Sequence, residues 1–218
     1  LVAVAGIVLC GQAFAQTTYY WDANDSTAGF GTEGGTWAAP TTNNSTQGWS
    51  TDATGATLPS STTTTSTSDA LNFGTGSAGL AAGTITVSGT VSANSLTFGS
   101  QSGAIVLSAG TLSLGGTTPT ITVNNAADTI SSAITGSAGL TKNGTGTLTL
   151  AGNSNYSGNT TINTGTVVIG HANGAGTGRI VQTDSSSLLK FDTTGTITNN
   201  MSVYNVLASQ SATLSGAI

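Results

Sequence analysis

The chain has 218 residues, of which 5% are charged and 31 are glycine, and its formal net charge at pH 7 is −5. Its three basic residues, Lys142, Arg179 and Lys190, are too few and too scattered to neutralise phosphates, which makes DNA and RNA poor candidates as partners. A hydrophobic content of 37% with so little charge excludes the usual polyelectrolyte disorder. Abundant Thr, Val and Ile favour strands, and Gly, Asn and Ser favour the turns between them, so the composition predicts an all-β chain.

The first residues differ from the rest of the chain. Residues 1–9 form an apolar run, and Ala13-Phe14-Ala15 is a small-x-small sequence directly before the polar Gln16. This arrangement is typical of the hydrophobic region and cleavage site of a secretory signal peptide, and the run is too short to span a membrane. Since a charged segment and an initiator Met are missing, we expect residues 1–15 to be a signal peptide truncated at its start and cleaved after Ala15.

The single cysteine, Cys10, lies inside this run. A lipoprotein signal also carries a cysteine at such a place, but the residue before it is normally small, whereas here it is Leu9. A chain cleaved after Ala15 has no cysteine and forms no disulfide, even in an oxidising compartment. We therefore expect hydrogen-bonded strands and packed aliphatic side chains to supply its stability.

Residues 16–59 are rich in aromatic residues and glycine. They contain all three tryptophans of the protein, Trp21, Trp37 and Trp49. A stack of repeats needs a terminal unit that closes its open end, so we predict that this segment is an N-terminal cap. The alternative is a small glycan-binding module in which the three tryptophans are exposed and contact sugars. The polar run that follows, residues 60–68, has no apolar anchor and is predicted to be a flexible loop or linker.

From residue 69 to residue 218 short apolar triplets recur, with Gly, Asn or Ser between them. Most alternate apolar and polar residues, which indicates strands. Examples are Leu71-Asn72-Phe73, Ile85-Thr86-Val87, Leu96-Thr97-Phe98, Leu112-Ser113-Leu114, Ile121-Thr122-Val123 and Leu148-Thr149-Leu150. Every second triplet lies about twenty residues further along, the length of one coil of a parallel β-solenoid, and we predict about seven coils. An antiparallel sandwich is the alternative, but the recurring turns, whose Asn and Thr can form hydrogen-bonded ladders, favour stacked coils.

The stretch from Leu140 to Gly170 shows this plan most clearly. Its pieces Gly144-Thr145-Gly146-Thr147-Leu148-Thr149-Leu150, Asn155-Tyr156-Ser157-Gly158 and Gly165-Thr166-Val167-Val168-Ile169-Gly170 resemble the autotransporter-associated β-strand repeat. The resemblance implies the N-terminal part of a passenger, the exported region of a large bacterial surface protein, folded as a single-stranded right-handed parallel β-helix. It also implies export through an outer-membrane translocator outside these residues, and we expect the natural protein to continue beyond residue 218.

Candidate catalytic residues are few. His171, the only histidine, lies in a glycine-rich loop without a G-x-S-x-G sequence elsewhere, so a solvated loop histidine is the better interpretation. Two G-x-G-x-x-G sequences are interpreted as turns, because neither precedes a helix that could bind a phosphate. Asp184 and Asp192, with a strand between them, could supply the paired acid and base of a glycosidase. We interpret them instead as scattered solubilising charges, together with the other carboxylates: Asp22, Asp25, Glu33, Asp52, Asp69 and Asp128.

The sequence therefore predicts a secreted or cell-surface β-solenoid with a structural or adhesive role and with no catalytic residue, metal or cofactor. Its polar outer face would contact glycans or the surfaces of other cells. Two alternatives remain, a polysaccharide-active enzyme on the same scaffold and a glycan-binding module built on the N-terminal tryptophans. Polysaccharide cleavage that is lost on replacement of Asp184 or Asp192 would identify the first, and tryptophan fluorescence titrated with oligosaccharides would test the second.

Overall fold

The protein is described by a computed structural model that covers most of the chain. The residues it describes are 16–24, 26–32, 34–39, 48–57, 59, 62–208 and 212–217. The predicted signal peptide, residues 1–15 with Cys10, lies outside the described residues. The described residues contain 22 short strands and no helix, which confirms the all-β prediction.

The strands form two large sheets and two small ones, named A to D here. Sheet A contains, in spatial order, β3 (Gly48–Ser50), β1 (Thr18–Asp22), β4 (Ala70–Phe73), β7 (Ser95–Phe98), β10 (Thr120–Val123), β13 (Leu140–Asn143), β15 (Thr160–Ile162), β17 (Ile180–Gln182) and β20 (Met201–Ser202). Sheet B contains β2 (Thr36–Trp37), β5 (Gly83–Val87), β8 (Ile105–Ser108), β11 (Ala127–Ile130), β14 (Thr147–Leu150), β16 (Thr166–Ile169), β18 (Leu188–Phe191) and β21 (Val206–Ala208). Sheet C contains β6 (Thr90–Ala93), β9 (Thr111–Leu114) and β12 (Ala133–Thr135), and sheet D contains β19 (Thr196–Ile197) and β22 (Thr213–Leu214).

Strands of successive coils pair in parallel and in register. In sheet A, Ala70 pairs with Ser95 and Leu140 pairs with Thr160, so one coil spans 25 residues near the start and 20 in the middle. The chain thus forms a parallel β-solenoid of about seven coils, each of about 21 residues. The predicted coil length and parallel stacking are confirmed. The sandwich alternative is wrong, because strands of neighbouring coils pair in parallel in all four sheets.

Alternation along the strands directs one set of side chains into the solenoid. In β9 and β14 the leucines at every second position are buried, whereas the Thr and Ser residues between them are partly exposed. Stacking of coils places these aliphatic side chains over one another in a continuous core. Full burial of a Leu, Ile or Val side chain stabilises the fold by about 1.5–3 kcal/mol. Because the described residues contain no cysteine and form no disulfide, the packed core is a main source of their stability.

Aromatic side chains close the N-terminal end of the solenoid. β3 pairs with β1 in antiparallel orientation, with Trp49 opposite Trp21, in contrast to the parallel pairing of the coils. Trp49 makes edge contacts with Trp21, Trp37 and Phe73 at ring-centroid distances of 5.0, 5.2 and 5.7 Å. Phe73 in turn stacks on Phe98 of the next coil at 5.0 Å. This aromatic cluster covers apolar side chains of the first coils that would otherwise face water.

The boundaries of the cap and of the linker remain predictions. The described part of the serine and threonine run, residues 62–68, contains no strand. Within it Thr65 is buried, and its hydroxyl oxygen accepts a hydrogen bond of 3.2 Å from the Trp37 indole. Asp69 accepts two further hydrogen bonds, from the backbone N–H and the hydroxyl of Ser66. The Thr65 contact holds this part of the run against the aromatic cluster, and the Asp69 contacts fix the turn that follows it.

Glycines at the corners let the backbones of successive coils approach closely. Gly144 has a φ of +79°, and a Cβ placed on it would lie 2.3 Å from the Val123 carbonyl oxygen of the preceding coil. Gly89 has a similar φ of +69°, but a Cβ there would meet nothing within 4 Å. We expect Gly89→Ala to lower the free energy of unfolding by about 1–2 kcal/mol, the cost of the left-handed conformation, and Gly144→Ala to lower it further. Urea unfolding of both variants measures the difference, and equal losses would show that the close approach is unimportant.

Candidate functional site

The outward side of sheet A is a regular, uncharged surface, which we call the sheet A face. Two columns of side chains run along it with one residue of each column in every coil. The first column is Ala70, Ser95, Thr120, Thr141, Thr161 and Val181, and the second is Asn72, Thr97, Thr122, Asn143, Asn163 and Thr183. Because neighbouring strands are about 4.8 Å apart, the face presents hydroxyl and amide groups at that spacing over roughly 24 Å.

Hydrogen bonds between side chains hold the second column in place. The Asn163 amide nitrogen donates to Asn143 Oδ1 at 2.9 Å, and the Thr183 hydroxyl donates to Asn163 Oδ1 at 2.8 Å. A second ladder, between the loops, joins the Asn173 amide nitrogen to Asn153 Oδ1 at 2.9 Å. The ladders predicted from the turn composition are thus confirmed. These bonds fix the polar side chains of Asn143, Asn163 and Thr183 on the sheet A face.

The oppositely charged side chains of Lys142 and Asp128 lie inside the solenoid, where they are 0% and 2% exposed. The Lys142 ammonium donates to the carbonyl oxygens of Asn143, Gly144 and Gly146, each at 2.9 Å. Burial lowers the pKa of Lys142 to about 8, against the attraction of Asp128, which raises it. Burial also raises the pKa of Asp128 to about 6, although its hydrogen bonds and the charge of Lys142 oppose that shift. The two groups therefore influence each other's ionisation within the core.

Asp128 binds the backbone of the preceding coil. Its Oδ1 accepts hydrogen bonds from the Ile105 backbone N–H at 2.8 Å and from the Asn125 amide at 3.0 Å, while its Oδ2 is buried without a hydrogen-bond partner. The interpretation as a solubilising charge is therefore wrong for Asp128, and it is wrong for Asp22 and Asp69 as well, which are buried at 0% and 6% exposure. The signal that could have revealed it is its position, since Asp128 stands two residues before Ile130 on the inward side of β11. Lys142 stands in the same way two residues after Leu140.

Comparison with known proteins identifies the repeat. A family model described as passenger-associated-transport-repeat matches residues 140–169. The chain contains a passenger-associated-transport repeat. It is also 32% identical over 168 residues to the adhesin BmaC autotransporter of Brucella suis biovar 1 (strain 1330). That alignment covers 77% of this chain but only 4% of the length of the relative. No solved structure matches the chain.

The matched residues of this repeat protein are two successive coils. They contain β13 and β14 of one coil and β15 and β16 of the next, paired in parallel within sheets A and B. The buried Lys142 and the hydrogen-bonded pair Asn143 and Asn163 all lie within the match. The repeat therefore carries both the charged core position and part of the side-chain ladder.

The tryptophans of the repeat protein lie in its interior. Trp21 and Trp37 are 0% exposed and Trp49 is 1% exposed. Their rings contact one another and Phe73, so they present no open face on which a sugar could stack. This burial argues against the alternative in which Trp21, Trp37 and Trp49 contact glycans. Their contacts assign them to the closure of the core.

The two residues of the candidate acid–base pair lie at opposite ends of β18. Asp184 is exposed in the turn before β18, where hydrogen bonds from Ser186 hold its pKa below the ordinary value. Asp192 follows the last residue of β18, so a strand of four residues separates the two carboxylates by roughly 13 Å of extended chain. Glycosidases place their two carboxyl groups about 5–9.5 Å apart.

His171 lies in the loop after β16, as predicted, and its Nδ1 accepts a hydrogen bond from the Asn173 backbone at 3.1 Å.

The described part of the repeat protein has neither a cluster of metal ligands nor a membrane-spanning helix. In that part, no three His, Cys, Asp or Glu side chains lie together as they would around a metal ion. The same residues contain no helix that is long and apolar enough to cross a membrane. The absence of a metal or cofactor stays a prediction.

Proposed function

We propose that this chain is part of a secreted passenger region displayed at a bacterial cell surface, where the solenoid serves as a non-catalytic structural or adhesive element. The observation that carries the proposal is the parallel β-solenoid with a passenger-associated transport repeat within it. The similarity to a Brucella protein named as an adhesin and autotransporter supports it. The alignment spans about 4% of the length of that relative, so an adhesive activity of the whole protein is part of what we propose.

Two properties of the fold suit export as an extended chain. Each coil pairs with the coils before and after it, so coils can fold one after another as the chain emerges. The described residues contain no cysteine, so they form no disulfide that would block threading through a translocator. Coil-by-coil folding therefore requires no partner and no redox enzyme in this part of the chain.

The sheet A face is the surface that we assign to adhesion. From β4 to β17 its two columns contain no charged residue, and Tyr20 of β1 stands in register with Asn72 at their N-terminal end, so they suit a neutral, hydroxyl-rich partner such as uncharged glycans on another cell. Each hydrogen bond that replaces one to water contributes only about 0.5–1.5 kcal/mol. Repetition along the face compensates for this weakness, because linked contacts bind at a high effective concentration.

Display at the cell surface is tested with antibodies raised against the purified chain. Intact cells of the source bacterium should bind the antibody, and brief treatment of intact cells with an external protease should abolish the binding. Binding that needs cell lysis would contradict surface display.

The cleavage site is tested by N-terminal sequencing of the exported protein. The sequence should begin at Gln16, and a start before Gln16 would refute the predicted cleavage site.

Adhesion through the sheet A face predicts the effect of new charges there. We expect the double variant Thr97→Glu and Thr122→Glu to lose several-fold in binding to an array of neutral glycans, because each carboxylate would have to be desolvated against an uncharged partner. The matched control is Thr129→Glu with Thr149→Glu, which alters two registered, half-buried threonines on the outward side of sheet B. Equal losses in the two double variants would exclude the sheet A face as the contact surface. An array on which the unaltered chain binds no glycan would exclude neutral glycans.

A further inference from the structure

One inward column of sheet A contains both aliphatic and polar side chains. Its members, one in each coil, are Leu71, Leu96, Ile121, Lys142, Ile162 and Gln182. All of them are at most 3% exposed. The aliphatic members need only apolar contacts, whereas Lys142 and Gln182 need hydrogen-bond partners because they are buried.

Lys142 finds partners in its own coil and in the next one. Its ammonium donates to the carbonyl oxygens of Asn143, Gly144 and Gly146 at 2.9 Å, which form the corner of its own coil. It also donates to the Thr164 carbonyl oxygen at 3.3 Å, in the corresponding corner of the next coil. The Thr164 hydroxyl also donates to the Gly144 carbonyl oxygen, at 3.2 Å, and so joins the same two corners directly. The full set of partners therefore exists only when the next coil lies directly against this one.

Gln182 repeats the arrangement two coils later. Its amide nitrogen donates to the backbone carbonyl oxygen and the hydroxyl of Ser187 in its own coil, at 2.9 and 3.2 Å. Its amide oxygen accepts hydrogen bonds from the backbone N–H groups of Tyr204 and Asn205 in the next coil, at 2.7 and 3.0 Å. Like Lys142, Gln182 therefore binds the backbone of its own corner and that of the coil that follows.

This pattern addresses a problem that repeated coils create. Coils of similar length that contribute Leu, Ile and Val to one core bury similar apolar surface whether they pair with the next coil or skip it. A skipped coil would leave a buried charge or amide without its partners in the next coil, which aliphatic contacts cannot replace. We propose that Lys142 and Gln182 set the register of the solenoid, each by accepting only the correct next coil. This role does not depend on the proposed function and is tested on the purified chain.

Disulfide cross-linking reports the register directly in the full chain with Cys10→Ser. Thr141 and Thr161 are paired neighbours, and their Cα atoms about 4.8 Å apart suit a disulfide. Thr141 and Val181 are two coils apart, at roughly 10 Å, and cross-link only if the intervening coil is skipped. We expect Thr141→Cys with Thr161→Cys to cross-link in the parent chain. With Thr141→Cys and Val181→Cys, adding Lys142→Met should raise the cross-linked fraction several-fold.

Two controls separate register from general loss of stability. Ile162→Met changes the same column without removing a polar group, so it should leave the Thr141 to Val181 cross-link at the level of the parent chain. Lys142→Gln, which uses the side chain found at position 182, should restore the register that Lys142→Met loses. The proposal is wrong if, in the presence of Lys142→Met, Thr141→Cys still cross-links with Thr161→Cys and its cross-linking with Val181→Cys does not rise.

If Lys142→Met fails to fold, Gln182→Leu provides the second test. Val181 and Ser202 are paired neighbours of the two coils that Gln182 joins. Gln182→Leu should lower the cross-linking of Val181→Cys with Ser202→Cys several-fold, while cross-linking of Thr141→Cys with Thr161→Cys stays unchanged. Unchanged cross-linking at both pairs would overturn the proposal.

Discussion

Replacement of Trp49 by alanine should lower the free energy of unfolding by about 3–5 kcal/mol. Trp49 is 1% exposed and contacts Trp21, Trp37 and Phe73, so its loss leaves a large cavity at the closed end of the solenoid. It is also the aromatic residue of β3, the strand that pairs in antiparallel orientation over the first coil. Equilibrium unfolding in urea, followed by far-ultraviolet circular dichroism, measures the loss without relying on tryptophan fluorescence.

Tyr204→Ala is the matched control, because this aromatic ring is 65% exposed and its loss should change the free energy of unfolding by no more than about 0.5 kcal/mol. Losses of similar size in the two variants would show that the aromatic cluster does not close the core. A fluorescence titration with oligosaccharides tests the glycan-binding alternative. Since the three indole rings are buried, oligosaccharides should leave the tryptophan fluorescence of the unaltered chain unchanged.

The strands and their stacking follow from the sequence because both depend on local rules. Alternation in stretches such as Leu148-Thr149-Leu150 predicts one buried and one exposed side, and the structure has that pattern in β14. The recurrence of such stretches at about twenty residues predicts coils, since parallel strands can stack only when the chain returns to the same side. The antiparallel strand β3 does not follow from these rules. Its pairing with β1 depends on which surface the aromatic residues cover, and period and spacing do not specify that surface.

The candidate site was less predictable, because residue type alone does not fix the direction of a side chain. Trp21, Trp37 and Trp49 have the composition of a sugar-binding platform and also that of a core, and only their contacts decide between the two. Asp128 and Lys142 occupy inward positions of strands, where alternation predicts apolar residues, so the pattern was interrupted at both places. Their roles depend on backbone carbonyl and N–H groups of neighbouring coils, which the sequence does not display.

The second large effect is expected from Lys142→Met. Methionine keeps an unbranched apolar stem, but it removes the cation that compensates Asp128 and the donors to the carbonyl oxygens of the corner. At pH 7.5 we expect the free energy of unfolding to fall by about 1–3 kcal/mol, the usual cost of leaving buried carbonyl oxygens without their hydrogen-bond donor. Lys190→Met is the control, since it makes the same change at a partly exposed position of β18 and should cost far less.

The cost of Lys142→Met should depend on pH, and Asp128 sets the sign. Burial raises the pKa of this carboxyl from 3.8 to about 6, so the folded protein holds the proton more firmly than the unfolded chain does. The resulting stabilisation is complete below about pH 3.8 and is lost as the pH rises through about 6. The pKa of Lys142, about 8, keeps that group mostly charged at both pH 5 and pH 7.5, so a comparison of these two pH values isolates Asp128.

In Lys142→Met the carboxyl loses the attraction that lowered its pKa, and its pKa rises further above 6. At pH 5 the variant therefore contains neutral Asp128 and no uncompensated charge, whereas at pH 7.5 it must bury the anion or take up a proton to avoid it. Urea unfolding of the parent chain and the variant should show a clearly smaller loss at pH 5 than at pH 7.5. Adding Asp128→Asn should remove this difference, because asparagine does not titrate. A loss that is the same at both pH values would mean that Lys142 stabilises the solenoid only through its backbone carbonyl partners and is not coupled to Asp128.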